Sequence, residues 1–333
     1  MSVQYLINGE PRPEAAVPGV FLGPLSDLAK QKKTWTPALL AGVLWRAVGN
    51  IGKHRHIMEV LKYPEFADLA HANPRFAFKY LTHGYLARSF SVAQRAACFA
   101  HHYQSLHDLM PYPFLMRLLG RDVTIVSIRE AGTRFSVTFG LSRSHDKEGE
   151  LSLNLGVDGT TVYIMSFTIV PGKVIQSPSP DVLLITRLQG VKGCYRQISL
   201  VTKTLHDVAP GGMLLAALQG IGDALGIRAV GCISGVDQNS YCKEYDASFM
   251  AAYDNFFSER GLVKNAAGLF VAAIPINGKP LALIKQGHKL RTRAKREFKR
   301  EISDKVSELL SAHCHGKNSP VPLLRMASLP ESV

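Results

Sequence analysis

The spacing of hydrophobic and polar positions along this chain changes near residue 120. From Thr36 to about Gly120, apolar residues recur at helical spacing, and the step from Thr36 to Pro37 is typical of a helix start. A long helix is predicted over Ser91–Leu109, because Pro111 and the residues after it cannot continue the pattern. The stretch from Thr36 to about Gly120 is therefore predicted to be helical.

After residue 120 the pattern alternates, as in strands that bury one face. Four segments rich in β-branched and aromatic residues are predicted to be strands: Val123–Ile128, Arg134–Leu141, Glu150–Leu155 and Thr161–Ile169. The pair Asp158-Gly159 is a strong signal for a tight hairpin between the last two of them. Antiparallel strands are therefore expected to come first in the sheet.

A different order begins at the buried strand predicted over Asp181–Leu188. The glycine-containing loop Gln189–Gly193 follows, then two helical patterns and a second buried strand over Arg228–Ser234. A strand that runs through a glycine turn into a helix leaves backbone N–H groups unpaired, and these can receive a phosphate or a carboxylate. The predicted fold class is α+β, a mixed sheet with flanking helices preceded by a helical N-terminal region.

The last predicted helix spans about Leu290–Leu310 and is strongly basic. Its apolar residues recur every four positions: Leu290, Ala294, Phe298, Ile302, Val306 and Leu310. The chain has a net charge of +13, and the window from Lys285 to Arg300 holds eight basic residues and one acid. This basic helix, 285–300, is predicted either to be a solvated face or to bind an anionic partner, which could be a phosphate-bearing donor, RNA or anionic lipid.

These patterns predict five regions. They are a loosely ordered lead (1–33), a helical region (34–120), an α/β domain (121–285), the basic amphipathic helix packed on it (286–311) and a flexible tail (312–333). No signal peptide or transmembrane stretch is evident, and the five cysteines show no paired metal-ligand spacing. A cytoplasmic protein without a metal is expected, with peripheral binding at the inner membrane as an open alternative.

The order of these elements resembles the GNAT acyltransferase fold. In that fold a motif written R/Q-x-x-G-x-G/A follows the fourth strand and binds the pyrophosphate of coenzyme A. The resemblance implies a site for acyl-CoA, or for another phosphate-bearing acyl donor, at Arg187, Gln189, Gly190, Lys192 and Gly193. Two positions depart from the motif, because Lys192 stands where a small residue belongs and Gly193 comes one place late. The cofactor itself is left open.

Three residues are candidates for catalysis. Tyr253 begins a segment that looks like the tyrosine helix of the GNAT fold, which implies protonation of the departing thiolate; the alternative is a core aromatic residue. Glu150 starts a strand beside a polar loop, where it would act as a general base or be a solvated acid. His102 would line the site or be a packed histidine bonded to the backbone.

Several short words spread over Phe76–Leu310 are similar to the VirK/YbjX family. They are Arg95, His102-Tyr103, Gly149–Leu153, Tyr163, Ser166-Phe167, Arg187–Gly190, Thr202-Lys203, Leu205-His206 and the basic stretch Arg291–Arg300. This resemblance implies a bacterial protein with a role in virulence or in resistance to antimicrobial peptides, and it implies no established reaction. Two functions therefore remain open: a GNAT-like transferase, or a non-catalytic regulator that uses its basic helix to bind RNA, membrane or an acidic partner.

Overall fold

The computed structural model describes residues 37–73, 75–142, 147–278 and 280–314. The predicted lead and all but the first residues of the predicted tail lie outside these ranges. The chain divides into two units, residues 1–78 and residues 79–333. This division falls inside the region 34–120 that the sequence groups together, because the helices after residue 90 belong to the unit that holds the sheet.

The first unit contains three described helices, α1 (Pro37–Val48), α2 (Ile51–Val60) and α3 (Pro64–Ala72). Proline occupies the first turn of α3, where its missing N–H costs nothing. On α2, the buried ring of His54 stacks on Phe78 with a centroid distance of 4.8 Å. Burial lowers the pKa of His54 to about 4, so this imidazole is neutral in the folded protein.

The second unit is built on an eight-stranded mixed sheet in the order β1-β2-β3-β4-β5-β6-β8-β7. The strands are β1 (Val123–Glu130), β2 (Thr133–Leu141), β3 (Leu151–Val157), β4 (Thr160–Pro171), β5 (Asp181–Gly190), β6 (Ala229–Cys232), β7 (Val263–Lys264) and β8 (Phe270–Ala273). Strands β5 and β6 are parallel, and the other neighbouring pairs are antiparallel. The predicted α+β class, with a mixed sheet, flanking helices and a helical N-terminal region, is confirmed.

The helices of this unit lie before, between and after the strands. They are α4 (Val92–Leu109), α5 (Tyr112–Gly120), α6 (Tyr195–Thr204), α7 (Pro210–Ala224), α8 (Asp246–Met250), α9 (Phe256–Ser258) and α10 (Lys289–Cys314). A π-helical turn, Ala251–Asn255, joins α8 to α9. Helix α4 starts at a complete capping box, in which Ser91 accepts from the backbone N–H of Gln94 and the Gln94 side chain accepts from Ser91.

Strand β3 shows how the sheet separates its two faces. Leu151, Leu153 and Leu155 are fully buried, whereas the alternating Ser152 and Asn154 belong to the opposite face. Helix α7 packs against β3, β4 and β5. Helix α7 therefore covers the apolar face of the sheet, and the opposite face carries polar side chains that could form a site.

Helices α7 and α10 form the main helix pair of this unit. They approach closely at Gly220, where a Cβ would collide with the carbonyl oxygen of Ser303. The predicted apolar stripe of α10 is buried at its later positions, including Ile302 and Val306. Leu290 is 80% exposed, so its assignment to the buried stripe is wrong; the helix begins at Lys289, and its first turn extends beyond the core.

Two local predictions about turns have different outcomes. Asp158 and Gly159 form the turn between β3 and β4 with φ values of 48° and 84°, the left-handed conformation expected for this hairpin. Gly190 was expected in the loop after β5, but it is the last residue of that strand. A Cβ at Gly190 would lie 2.7 Å from Ile198 Cδ1, so this glycine allows α6 to pack closely on the strand end.

Among the described helices, none is long and apolar enough to cross a bilayer.

Candidate functional site

The parallel strands β5 and β6 pair over only a short distance. Their register joins Leu183–Ile185 to Val230–Cys232, and the backbone N–H of Ile233 donates to the Ile185 carbonyl at 3.2 Å. Strand β5 then continues to Gly190 without β6 beside it. Backbone groups on this edge of β5 must find partners other than a neighbouring strand. The divergence therefore creates a place where a side chain or a ligand can bind the backbone.

Tyr253 fills part of this gap. Its hydroxyl oxygen accepts a hydrogen bond from the backbone N–H of Leu188 at 3.1 Å, and the residue is 2% exposed. Burial raises the pKa of Tyr253 well above its ordinary value; the Leu188 N–H opposes this, while Cys232 and Glu148 add to it. The phenol is therefore protonated at neutral pH, and its own O–H remains a donor at the divergence.

The loop after β5 is short and exposed. Lys192 and Gly193 are exposed, and Gly193 has a φ of 87°, which favours glycine. Cys194 precedes the first turn of α6. The first N–H groups of this helix have no carbonyl acceptor within the helix, because no helical turn comes before them. Of the two glycines predicted to form this turn, only Gly193 has the left-handed conformation, since Gly190 belongs to β5.

Three half-buried cations lie within electrostatic range of a fourth, Lys299; we call Arg260, Lys295, Arg296 and Lys299 the cation group. The Arg260 guanidinium lies 3.4 Å from the centroid of the Phe256 ring and donates to the Phe256 carbonyl at 2.6 Å. Burial lowers the pKa of Lys299, and the nearby charges of Arg260, Arg296 and Lys295 lower it further. Asp207 lies within electrostatic range of Lys295, and Glu259 within range of Arg260, whereas Lys299 has no ion pair within the described ranges.

Tyr163 on β4 connects the cation group to the end of β5. A Cβ at Gly190 would lie 3.5 Å from the Tyr163 ring, so the ring packs against this glycine. Burial raises the pKa of Tyr163, and the positive charge of Arg260 opposes that rise, which places the guanidinium within electrostatic range of the phenol. Arg260, which acts electrostatically on Lys299 of the basic C-terminal helix, therefore also lies within range of a residue that packs on the end of β5.

A polar cavity of about 750 Å³ lies over β3, β4 and β5. Arg187 lines it and forms an ion pair with Glu148 at 3.3 Å, and the Gln238 side chain also donates to Glu148. Val191 lines the same cavity, so the loop after β5 borders it. The other lining residues are Asp122, Leu141, Ser142, Lys147, Ser152, Asn154, Thr161, Ile164, Ser166, Asn239 and Ser240.

The structure places Glu150 in a buried ion pair outside the residues that line the cavity. Its Oε1 lies 2.7 Å from Lys79 Nζ, Tyr103 donates its O–H to the same carboxylate, and only 2% of Glu150 is exposed. Burial alone raises the pKa of Glu150, but Lys79 and the other neighbours more than offset this and hold the pKa below its ordinary value. The alternative of a solvated strand-end acid is therefore wrong, because this carboxylate is buried.

His102 lies in the same buried cluster and is fully inaccessible to solvent. Its Nδ1 accepts a hydrogen bond from the backbone N–H of Ile169 at 3.2 Å. Burial lowers the pKa of His102 to about 3, an effect that the negative charge of Glu150 opposes and that of Lys79 reinforces. This is the geometry of a neutral, packed histidine.

The predicted site residues therefore fall into four places. Arg187 lines the polar cavity, Gln189 to Gly193 form the strand end and loop, and Tyr253 lies at the divergence, while the other two candidates are in the buried cluster. Sequence reasoning missed Glu148, although it stands two positions before Glu150 in the same polar stretch. It also missed Arg260, which lies in the tyrosine segment itself. Among the described residues, no group of three or more His, Cys, Asp or Glu could hold a metal ion.

Comparison with known proteins assigns a family. The model of a family described as a protein of unknown function (DUF535) matches residues 43–306, which is more than half of the chain. The chain belongs to the DUF535 family. The VirK/YbjX resemblance is confirmed at this level, because DUF535 and VirK/YbjX are the same family. DUF535 carries no assigned reaction. A search of curated proteins found no match.

One solved structure shares a limited likeness with this DUF535 protein. It is a mutant of a cAMP-binding acyltransferase from Mycobacterium smegmatis, with 12% sequence identity and a TM-score of 0.27. The likeness covers 65% of the present chain, and the chain spans 60% of the length of that acyltransferase. At this TM-score the likeness says nothing about the function of the present chain.

Proposed function

We propose that this protein is a GNAT-like acyl- or aminoacyltransferase that uses a phosphate-bearing donor. The observation that carries the proposal is the divergence of β5 and β6 beside an exposed glycine loop and the cation group. Burial and three neighbouring cations lower the pKa of Lys299, so its charged form is costly for the protein alone, and an anionic ligand would offset that cost. A donor such as acyl-CoA carries both phosphate charge and an extended chain.

The donor would bind in two parts. Its phosphates would lie at Lys192, Gly193 and the first N–H groups of α6, with Arg260 and Lys299 supplying further positive charge. Its extended chain would run along the free edge of β5 near Gln189 and Gly190, where the backbone lacks a strand partner. Lys192, the departure from the GNAT motif, would then act as a point charge on phosphate.

The chemistry would use Tyr253 and Glu148. The acceptor amine attacks the acyl carbonyl carbon, the bond to the leaving sulfur breaks, and Tyr253 donates its proton to the departing thiolate. Glu148 lies at the polar cavity and is close enough to Tyr253 to raise the pKa of that phenol, so it is placed to take the proton of the amine. Glu150 and His102 would support the scaffold instead.

Calorimetric titration with acetyl-CoA, a long-chain acyl-CoA and dephospho-CoA tests the donor site. We expect binding that weakens about tenfold or more in Lys192→Glu and in Lys299→Gln, because each removes a cation from the phosphate site. Lys203→Glu on α6 and Lys305→Gln on α10 are matched controls, since both lysines are exposed and lie outside the cation group. Unchanged affinity in both site variants, or no binding of any of the three compounds, would contradict the donor site.

A second candidate function rests on other residues of the basic helix. Arg293 and Arg300 are exposed and are not part of the cation group, so they could meet RNA, an anionic membrane or an acidic partner. The family resemblance adds a role in virulence or in envelope stress and resistance to antimicrobial peptides. Complementation of a gene deletion in the host bacterium, scored by survival in the presence of a cationic peptide, distinguishes the transferase from the regulator. Rescue by Lys192→Glu but not by a charge reversal of Arg293 and Arg300 would favour the regulator.

A further inference from the structure

The floor of the polar cavity is a row of side chains across three strands. In the sheet register, Ser152 on β3 pairs with Ser166 on β4, which pairs with Arg187 on β5, and all three line the cavity. Asp122 closes one end, where it accepts hydrogen bonds from Thr138 at 3.3 Å and from Asn154 at 3.2 Å. Asp122 also lies so close to Gly140 that a Cβ there would collide with it. The floor is therefore a built arrangement of hydroxyl, amide and charged groups.

Three hydroxyl and amide atoms at this cavity have no hydrogen-bond partner among the residues that the structure describes. They are Ser142 Oγ, Ser166 Oγ and Asn239 Nδ2, and each is individually inaccessible to solvent. Ser166 as a whole is 0% exposed. A buried polar group without a partner costs about 1–3 kcal/mol, so three at one cavity are a strong departure from ordinary packing. By contrast Thr168, another buried hydroxyl on β4, accepts a hydrogen bond from the Glu150 backbone at 3.1 Å.

The charges at the cavity cancel. Asp122 and Glu148 face Lys147 and Arg187, and the ion pair between Glu148 and Arg187 neutralises two of these charges directly. What remains are serine and threonine hydroxyls, which both donate and accept, and asparagine amides, which do the same with separate atoms. Such a lining matches a ligand whose own groups both donate and accept, which is the property of hydroxyl groups.

The polar face continues beyond this cavity. A second cavity of about 250 Å³ shares Asn154 and Thr161 with it and is lined by further hydroxyl groups, among them Ser127, Ser136 and Thr138. A ligand that fills both would be elongated. We propose that this face of β1–β5 binds an uncharged, hydroxyl-rich ligand of the saccharide class, with Ser166 at the centre of its binding site. The proposal goes beyond the donor site and does not depend on it.

Ligand-observed NMR with glucose, N-acetylglucosamine, maltose and chitobiose, each at millimolar concentration, tests the proposal. We expect saturation transfer to at least one of the disaccharides, a loss of about tenfold in affinity in Ser166→Ala, and no transfer in Ser166→Leu, which fills the cavity floor. Ser199→Ala, at an exposed serine of α6, is the control and should bind normally. Absence of transfer to all four sugars, or normal binding by Ser166→Leu, would overturn the proposal.

A stability measurement tests the same hydroxyl without any ligand. Because Ser166 Oγ has no partner in the described part of the chain, Ser166→Ala should unfold in urea within about 0.5 kcal/mol of the parent. Thr168→Val is the matched comparison on the same strand, and it should lose about 1 kcal/mol because the Glu150 N–H then keeps only its hydrogen bond to the Phe167 carbonyl. A comparable loss in Ser166→Ala would mean that its hydroxyl is bonded within the fold, and would refute a binding role.

Discussion

The ion pair between Lys79 and Glu150 should behave as a structural element rather than as a catalytic one. At 2.7 Å between Nζ and Oε1, and at an effective dielectric constant of about 20, the attraction is about 6 kcal/mol, most of which offsets the cost of burying both charges. Glu150→Gln leaves the buried ammonium of Lys79 without its carboxylate, and Lys79→Met leaves the buried carboxylate of Glu150 without its ammonium. We expect each change to lower the free energy of unfolding by about 3–5 kcal/mol.

The double variant separates coupling from general damage. With both charges gone, Lys79→Met combined with Glu150→Gln should lose clearly less than the sum of the two single losses, by about 2 kcal/mol or more. Urea unfolding at neutral pH, followed by circular dichroism and by intrinsic fluorescence, measures all four proteins. A Glu150→Gln protein that is as stable as the parent, or losses that simply add, would refute the assignment of Glu150 to the scaffold.

Three further predictions follow from described contacts. His102 is neutral when the protein is folded but has an ordinary pKa when it is unfolded, so the protein should lose about 2 kcal/mol of stability through this residue as the pH falls from about 7 to about 5. In urea titrations at the two pH values, His102→Asn should lose less stability than the parent by that amount. An equal loss in the two proteins would contradict the prediction. Gly220→Ala should lower the melting temperature by several degrees because its Cβ meets the Ser303 carbonyl, whereas Gly226→Ala, at an open position with positive φ, gives the cost of backbone strain alone. Leu290→Gln should leave the melting temperature unchanged, since that side chain is exposed; a loss of stability would restore it to the core.

Local sequence patterns were enough to predict most elements of the sheet. The alternation in Leu151–Leu155 places leucines on the buried face, and Asp158-Gly159 supplies the left-handed turn that the hairpin needs. The start of α4 is likewise set by neighbouring residues, because it depends on the capping box at Ser91. These features depend on residues a few positions apart, which is the range over which periodicity and turn chemistry act.

The site depends on pairs that lie far apart in the chain, and no local pattern contains them. Lys79 and Glu150 are both charged, and only the fold shows that each makes the burial of the other tolerable. Tyr163 packs against the end of β5 and lies within electrostatic range of Arg260, which in turn acts on Lys299 of the basic C-terminal helix. Polar alternation in β3 did indicate a polar face, but not that Ser166 of the neighbouring β4 is buried on it with no partner among the described residues.

The short ladder between β5 and β6 has a consequence for how binding could be observed. The hydrogen bond from Ile233 N–H to the Ile185 carbonyl is the last rung before the strands part, so this amide lies at the fork of the sheet. Separation of β5 from β6 would expose this amide to hydrogen exchange with solvent, while a molecule bound along β5 would keep the hydrogen bonds between the two strands intact. The deuterium uptake of this single amide would therefore report on occupancy of the cleft, whatever its natural occupant is, and would do so without any assay of turnover.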